Sequence, residues 1–197
     1  MRSRLFFSFF LGLLSFAIAT SGLAQTIYSA RESQIPITIG TGISSFNLDY
    51  GLGRRMEGIT AWLDWSPSIA PGFLRGVGLE IEGRDINFGR PSSLPRMRQD
   101  TATGGVVYSF PYRHRVHPYG KYLVGVGSID FPSRNTYTHD TRAISAPGAG
   151  VEVKVFQGIR VRGDYEYQFW PRLFGPHTLN PNGFTISTAY DFHHSAR

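Results

Sequence analysis

Residues 183–192 read Gly-Phe-Thr-Ile-Ser-Thr-Ala-Tyr-Asp-Phe. Phe184, Ile186, Thr188, Tyr190 and Phe192 fall on one parity, and Thr185, Ser187, Ala189 and Asp191 on the other. An extended chain turns successive side chains to opposite faces, so this segment is a strand with an apolar face and a small, polar one. The same period recurs upstream. Ile159, Val161, Tyr165, Tyr167 and Phe169 oppose Arg160, Arg162, Asp164, Glu166 and Gln168. Val77, Leu79 and Ile81 oppose Glu80, Glu82 and Arg84, and Val151, Val153 and Val155 oppose Glu152 and Lys154. Ile59, Ala61, Leu63 and Trp65 oppose Thr60, Trp62 and Asp64. Tyr122, Val124 and Val126 oppose Lys121, Leu123, Gly125 and Gly127.

Long helical periodicities are missing, while Gly, Phe and Tyr are frequent, which is an all-β composition. Eight strands are predicted: 37–49, 58–65, 77–88, 101–110, 119–131, 148–156, 159–170 and 183–192. Each is about as long as a tilted strand needs to cross a bilayer. In the first, the phase slips near Ser44-Ser45, where a bulge is expected.

The other end of the chain supplies the compartment. Arg2 and Arg4 precede an apolar run, Leu5 to Ala19, too short for a membrane span, and Gly22 and Ala24 are the small residues of a cleavage site. A signal peptide, residues 1–24, is therefore expected to leave a mature barrel domain, residues 25–197, of about 170 residues and one domain. Loss of Arg2 and Arg4 lowers the formal charge from +6 to +4. That modest excess is no nucleic-acid signature in an exported chain. There are no cysteines, so strand pairing and packing must supply the stability.

Alternation alone does not decide which face is outside. Three features favour apolar outward. Small residues crowd the polar face, as a narrow interior requires. Aromatic residues sit near strand ends (Tyr50, Trp65, Phe88, Phe110, Tyr112, Tyr119, Phe131, Phe169, Trp170 and Phe192), where interfacial girdles lie. The polar-face charges nearly balance: Asp64, Glu80, Glu82, Glu152, Asp164 and Glu166 against Arg84, Lys121, Lys154, Arg160 and Arg162. The fold expected is an eight-stranded antiparallel transmembrane β-barrel with a lumen closed by paired charges. A soluble lipocalin-like barrel is the same pattern turned inside out.

Connections alternate in length. Segments 50–57, 89–100, 132–141 and 171–182 are long or polar, whereas 113–118 and 157–158 are tight. Residues 66–76, with Pro67 and Pro71, run longer than that alternation wants. Long loops mark the outer rim of such barrels. Those loops carry Arg54, Arg55, Arg90, Arg96, Arg98, Arg134, Arg142 and Arg172, which would face lipopolysaccharide phosphates.

The chain resembles the small outer-membrane barrels related to the transmembrane domain of outer membrane protein A. The carriers are the export signal, the eight segments, His117-Pro118-Tyr119 with Gly125-Val126-Gly127, and Asn180-Pro181-Asn182-Gly183-Phe184 leading to Tyr190-Asp191-Phe192. The resemblance implies bacterial outer-membrane localisation, contact with outer-membrane lipids and lipopolysaccharide, and help from the barrel-assembly machinery and periplasmic chaperones. It implies an assembly signal at Tyr190 and Phe192, although His193–Arg197 follow where the family usually stops. A monomer is expected.

Catalytic patterns are sparse. His139-Asp140 with Ser133 or Ser145 is the one set with the residue types of a nucleophile, base and acid, and no local signature joins them. His114-x-x-His117 lacks a third metal ligand nearby, and Gly51-Leu52-Gly53 has no helix after it to make a nucleotide loop. No cofactor or metal is implied. The reading is a non-catalytic protein of structural or surface-interaction type, with a narrow diffusion channel and a lipid A-modifying enzyme as alternatives.

Overall fold

Eight long strands close into one antiparallel barrel, and a small hairpin of two short strands lies in its last connection. The computed structural model describes residues 37–49, 55–66, 76–89, 97–110, 115–132, 137–173 and 177–192. The expected signal peptide and its cleavage site, Arg54, Arg90, Arg96, Arg134 and the tail after Phe192 lie outside the described residues.

The barrel strands are β1 (Ile37–Asn47), β2 (Arg55–Trp65), β3 (Val77–Phe88), β4 (Arg98–Ser109), β5 (Val116–Pro132), β6 (Tyr137–Phe156), β7 (Ile159–Tyr167) and β10 (Asn182–Asp191). The hairpin is β8 (Trp170–Leu173) with β9 (His177–Leu179). Around the barrel the order is β1-β10-β7-β6-β5-β4-β3-β2, every neighbour antiparallel. The Phe192 backbone N–H donates to the Ile37 carbonyl at 3.0 Å and extends the seam between the last strand and the first. Closure pairs the barrel strands on both sides around the ring, while the outer part of β6, residues 137–144, continues beyond its pairing with β7 and is held by β5 alone.

The apolar parity faces out. Ile43, Ile59, Ile81, Val124, Val126 and Ile186 are exposed, Ile81 by 67% and Ile186 by 70%. The opposite parity of the same strands is buried, including Thr60, Glu80, Glu82, Arg162, Asp164, Glu166, Thr185 and Ser187. A barrel whose wall is apolar and whose interior is ionic is soluble in hydrocarbon, not water.

Several expectations need correction. β6 begins at Tyr137, not at residue 148, so the third outer connection shrinks to residues 133–136. The segment 137–147 holds His139, Asp140, Arg142, Ser145 and Pro147, and its polarity reads as loop. Pairing with β5 along the whole length, from Pro132↔Tyr137 to Val116↔Val153, overrides it. The bulge expected near Ser44-Ser45 is absent: β1 pairs both neighbours without a register shift. Shifts occur instead at Glu57/Gly58 and at Lys154/Phe156. Tyr119 and Trp170 are not girdle aromatics but buried interior residues. Trp65, Phe88, Phe110, Phe169 and Phe192 do lie exposed near strand ends. Gly158 has φ 76° in the two-residue turn from β6 to β7, a conformation that costs glycine little.

Candidate functional site: the closed lumen

The interior divides along the barrel axis into an ionic part and an apolar part. The rim bearing the strand ends Ile37, Trp65, Ile159 and Asp191 is called the inner rim, and the opposite one the outer rim.

In the ionic part Lys121 is the hub. It projects inward from β5 with a fully buried side chain and meets four carboxylates from two other strands. Its Nζ lies 2.6 Å from Glu82 and 3.3 Å from Glu80 on β3, and 3.1 Å from Glu166 and 3.3 Å from Asp164 on β7. Arg162 reaches back across the lumen from β7 to Glu80 at 2.7 Å and Asp64 at 3.4 Å. It also donates to the Tyr119 hydroxyl and is stacked between rings, with the guanidinium 4.3 Å from both the Trp62 and the Tyr119 centroids. Arg84 binds Glu166 at 2.6 Å, Glu82 at 2.5 Å and the Thr60 hydroxyl at 3.1 Å. Nearer the inner rim Arg160 bridges Glu152 and Asp191. Hydroxyls complete the wall: Ser44 bonds Thr60 and Thr185, and the Trp62 indole N–H donates to Ser187 at 3.1 Å. Desolvating an ion pair costs several kcal/mol per ion, a cost offset only where each group is multiply bonded, as Lys121, Arg84 and Arg162 are here.

Above Arg84 the character changes. Phe46, Leu48, Met56, Ile86, Met97, Ile129, Ile144, Trp170 and Leu179 form one buried apolar cluster that fills the outer part of the interior. They come from β1, β2, β3, β5 and β6, from the residues flanking β1 and β4, and from the β8–β9 hairpin, which contributes Trp170 and Leu179. Trp170 is fully buried, and a Cβ on Gly127 would fall on its indole ring, so only glycine leaves it room. Two side chains stitch the parts together. Arg84 stacks on Phe46, 4.2 Å from its centroid. Gln168 donates to Glu166 at 2.8 Å and accepts from Trp170 at 2.9 Å and from Gln99 at 3.0 Å.

Of the charges assigned to the lumen from sequence, Asp64, Glu80, Glu82, Arg84, Lys121, Glu152, Arg160, Arg162, Asp164 and Glu166 meet in these contacts. Lys154 does not. It is exposed beside the register shift that precedes the β6–β7 turn. Sequence reasoning missed Asp191, Tyr119, Gln99 and Gln168, and it missed the apolar cap entirely. Alternation marked Asp191 and Gln168 as inward, so parity was the available signal for both.

The arginines assigned to outer loops fare differently. Arg98 is in β4, bound to Asp85 at 3.0 Å and Asp100 at 3.1 Å, and Arg142 is in β6, bound to Asp140 at 3.1 Å. Their guanidinium groups are occupied by neighbouring carboxylates. Arg55 opens β2 and Arg172 lies in β8, both exposed. Of the His139-Asp140 set, Asp140 falls on the inward parity with Arg142, His139 and Ser145 fall on the outward parity of β6, and Ser133 is outside the described residues.

An apolar-walled, ion-filled eight-strand barrel defines an integral protein of the bacterial outer membrane. The chain belongs to the outer membrane protein beta-barrel domain family, whose model matches residues 11–192. Among solved structures it is similar to Neisserial surface protein A (TM-score 0.58, 10% identity, 80% of this chain and 97% of that one). It is also similar to Ail, the attachment invasion locus protein of Yersinia pestis (0.52, 18%, 79% and 96%), and to a major outer membrane protein of Thermus thermophilus (0.53, 10%, 79% and 99%). At these identities the likeness is one of fold. No curated protein sequence matches the chain.

Proposed function

We propose that the protein is a structural or surface-interaction element of the outer membrane whose lumen is neither a conduit nor a catalytic cavity. One observation carries this reading: the interior is filled twice over, by the network around Lys121, Arg84 and Arg162 and by the apolar cap beneath β8–β9. An ion crossing it would have to displace salt bridges and then traverse packed hydrocarbon. With the interior closed, contact with the surroundings falls to the wall and the outer rim. Arg55 and Arg172 are the described exposed arginines suited to lipopolysaccharide phosphates. Ail of Yersinia pestis has been crystallised with the heparin analogue sucrose octasulfate, a polyanion. Tyr190 and Phe192 lie exposed at the inner rim, 5.0 Å apart, a placement suited to an assembly signal read by the barrel-assembly machinery after chaperone delivery.

The test is transport. Purified protein in a planar bilayer is expected to give no steady conductance, and proteoliposomes no swelling in small sugars. Reproducible single-channel steps would overturn the closed-lumen reading and make the protein a channel.

A further inference from the structure

The outward stripes of β5 and β6 carry chemistry that the closed lumen does not use. Along β5 the outward positions are Tyr122, Val124 and Val126, then Ser128 and Asp130. Along β6 they run Val151, Ala149, Pro147, Ser145 and Ala143, then Thr141 and His139. From one height outward both stripes are polar, because the register pairs Ser128 with Thr141 and Asp130 with His139, next beyond Val126 and Ala143. On an outer-membrane barrel wall, a change from apolar to polar toward the outer rim is what the passage from hydrocarbon to headgroups, where lipid ester bonds lie, requires.

The four polar side chains converge. His139 Nδ1 is 2.6 Å from Asp130 Oδ1. His139 Nε2 is 3.1 Å from Thr141 Oγ1 and 3.4 Å from Ser128 Oγ. A carboxylate only accepts, so Nδ1 donates to Asp130, and in the neutral ring Nε2 is then the nitrogen that can accept the threonine O–H. Acid, imidazole and hydroxyl thus stand in the order that a hydroxyl nucleophile requires. The imidazole is 54% exposed, so the arrangement opens outward from the barrel wall. On the other flank of β5, Arg98 pairs in register with Asp130, its guanidinium fixed by Asp85 and Asp100.

We propose that this cluster hydrolyses ester-linked acyl chains of outer-leaflet lipids, with Thr141 as nucleophile, His139 as general base, Asp130 as its orienting acid and Ser128 as a donor to the carbonyl oxygen. The proposal goes beyond the closed-lumen reading and does not rest on it. Thr141 Oγ1 forms a bond to the acyl carbon while Nε2 takes its proton. The ester C–O bond then breaks and that proton passes to the departing alcohol. Water attacks the acyl-threonine, gives a proton to Nε2 and releases the fatty acid, and the proton returns to Oγ1. The net reaction is ester plus water to acid plus alcohol. Phospholipid and the acyl esters of lipopolysaccharide share this chemistry.

The full barrel, reconstituted in bilayers, is incubated with phosphatidylethanolamine vesicles in one arm and lipopolysaccharide aggregates in the other. Free fatty acid is read by mass spectrometry. Release in either arm is expected, and the productive arm names the source. His139→Ala and Thr141→Ala should each lower release by about 100-fold or more, a magnitude set by loss of a general base or its nucleophile. Thr141→Ser should retain it. Heat-modifiable gel mobility verifies that each variant is folded. A fluorophosphonate probe should label Thr141, and His139→Ala should abolish the adduct. Release that survives His139→Ala, or neither release in any arm nor labelling of the native protein, overturns the proposal and leaves the cluster as a clamp between β5 and β6.

Discussion

The two parts of the lumen close the same barrel by opposite means. Around Lys121 the interior is full of charge, held by opposite signs reaching in from β2, β3, β5 and β7. Around Trp170 and Met56 it is full of hydrocarbon, held by shape. The difference teaches how each part fails. In the ionic part every deletion strands a partner in a confined space, so the penalty follows the number of partners. In the apolar part every deletion leaves a void, so the penalty follows volume.

The largest effect is therefore expected at Lys121, whose ammonium faces four carboxylates. Lys121→Met should cost about 3–5 kcal/mol, the range for breaking a buried pair, read as a shift in urea unfolding midpoint in detergent micelles. A change under about 1 kcal/mol would mean that the carboxylates are already neutralised by something other than this lysine.

Trp170→Ala comes next, at about 3–5 kcal/mol if the cap behaves as a packed core. It also separates the two parts functionally. Among the described residues lining the ionic part, Asp64, Glu80, Glu82, Glu152, Asp164, Glu166 and Asp191 outnumber Arg84, Lys121, Arg160 and Arg162. Any leak opened by removing the indole should favour cations over anions. Anion preference, read from the reversal potential in a salt gradient, would contradict the inward assignment of those carboxylates.

On the wall, Val124→Arg should cost about 2–4 kcal/mol, because Val124 is exposed near the middle of β5 where the barrier to charge is highest. A negligible cost would mean that this face does not meet lipid. The smallest effect is expected for the exposed pairs: Arg98→Ala should change unfolding free energy by no more than about 1 kcal/mol, as solvent screens its partners.

The same division explains what the sequence revealed. Where an ionic interior lies behind a hydrocarbon wall, alternate residues differ in kind. Glu80, Glu82 and Arg84 against Leu79 and Ile81 made parity, face and partner classes readable. Toward the outer rim both faces lose that contrast. Phe46 is as apolar inward as Ile43 is outward, so β1 looked out of phase at Ser44-Ser45 although its backbone is regular. Ile129 and Ile144 hid in the same way, and the polar start of β6 read as loop because its outward residues, Thr141 and His139, are themselves polar. Trp170 resembles a girdle aromatic in sequence, and only the hairpin that turns it over Gly127 puts it inside. Contacts such as Arg162 with Glu80 join residues distant in sequence, and periodicity fixes faces without fixing which faces meet.

The central claim is that charges in the ionic part hold one another directly across the lumen. A double-mutant cycle on Arg84 and Glu166, which lie 2.6 Å apart on β3 and β7, tests it most directly. Arg84→Met, Glu166→Gln and the double variant are compared by urea unfolding in the same micelles. A coupling of about 1–3 kcal/mol is expected, with the double variant less damaged than the sum of the singles. Additivity within about 0.5 kcal/mol would show that the two charges do not hold each other.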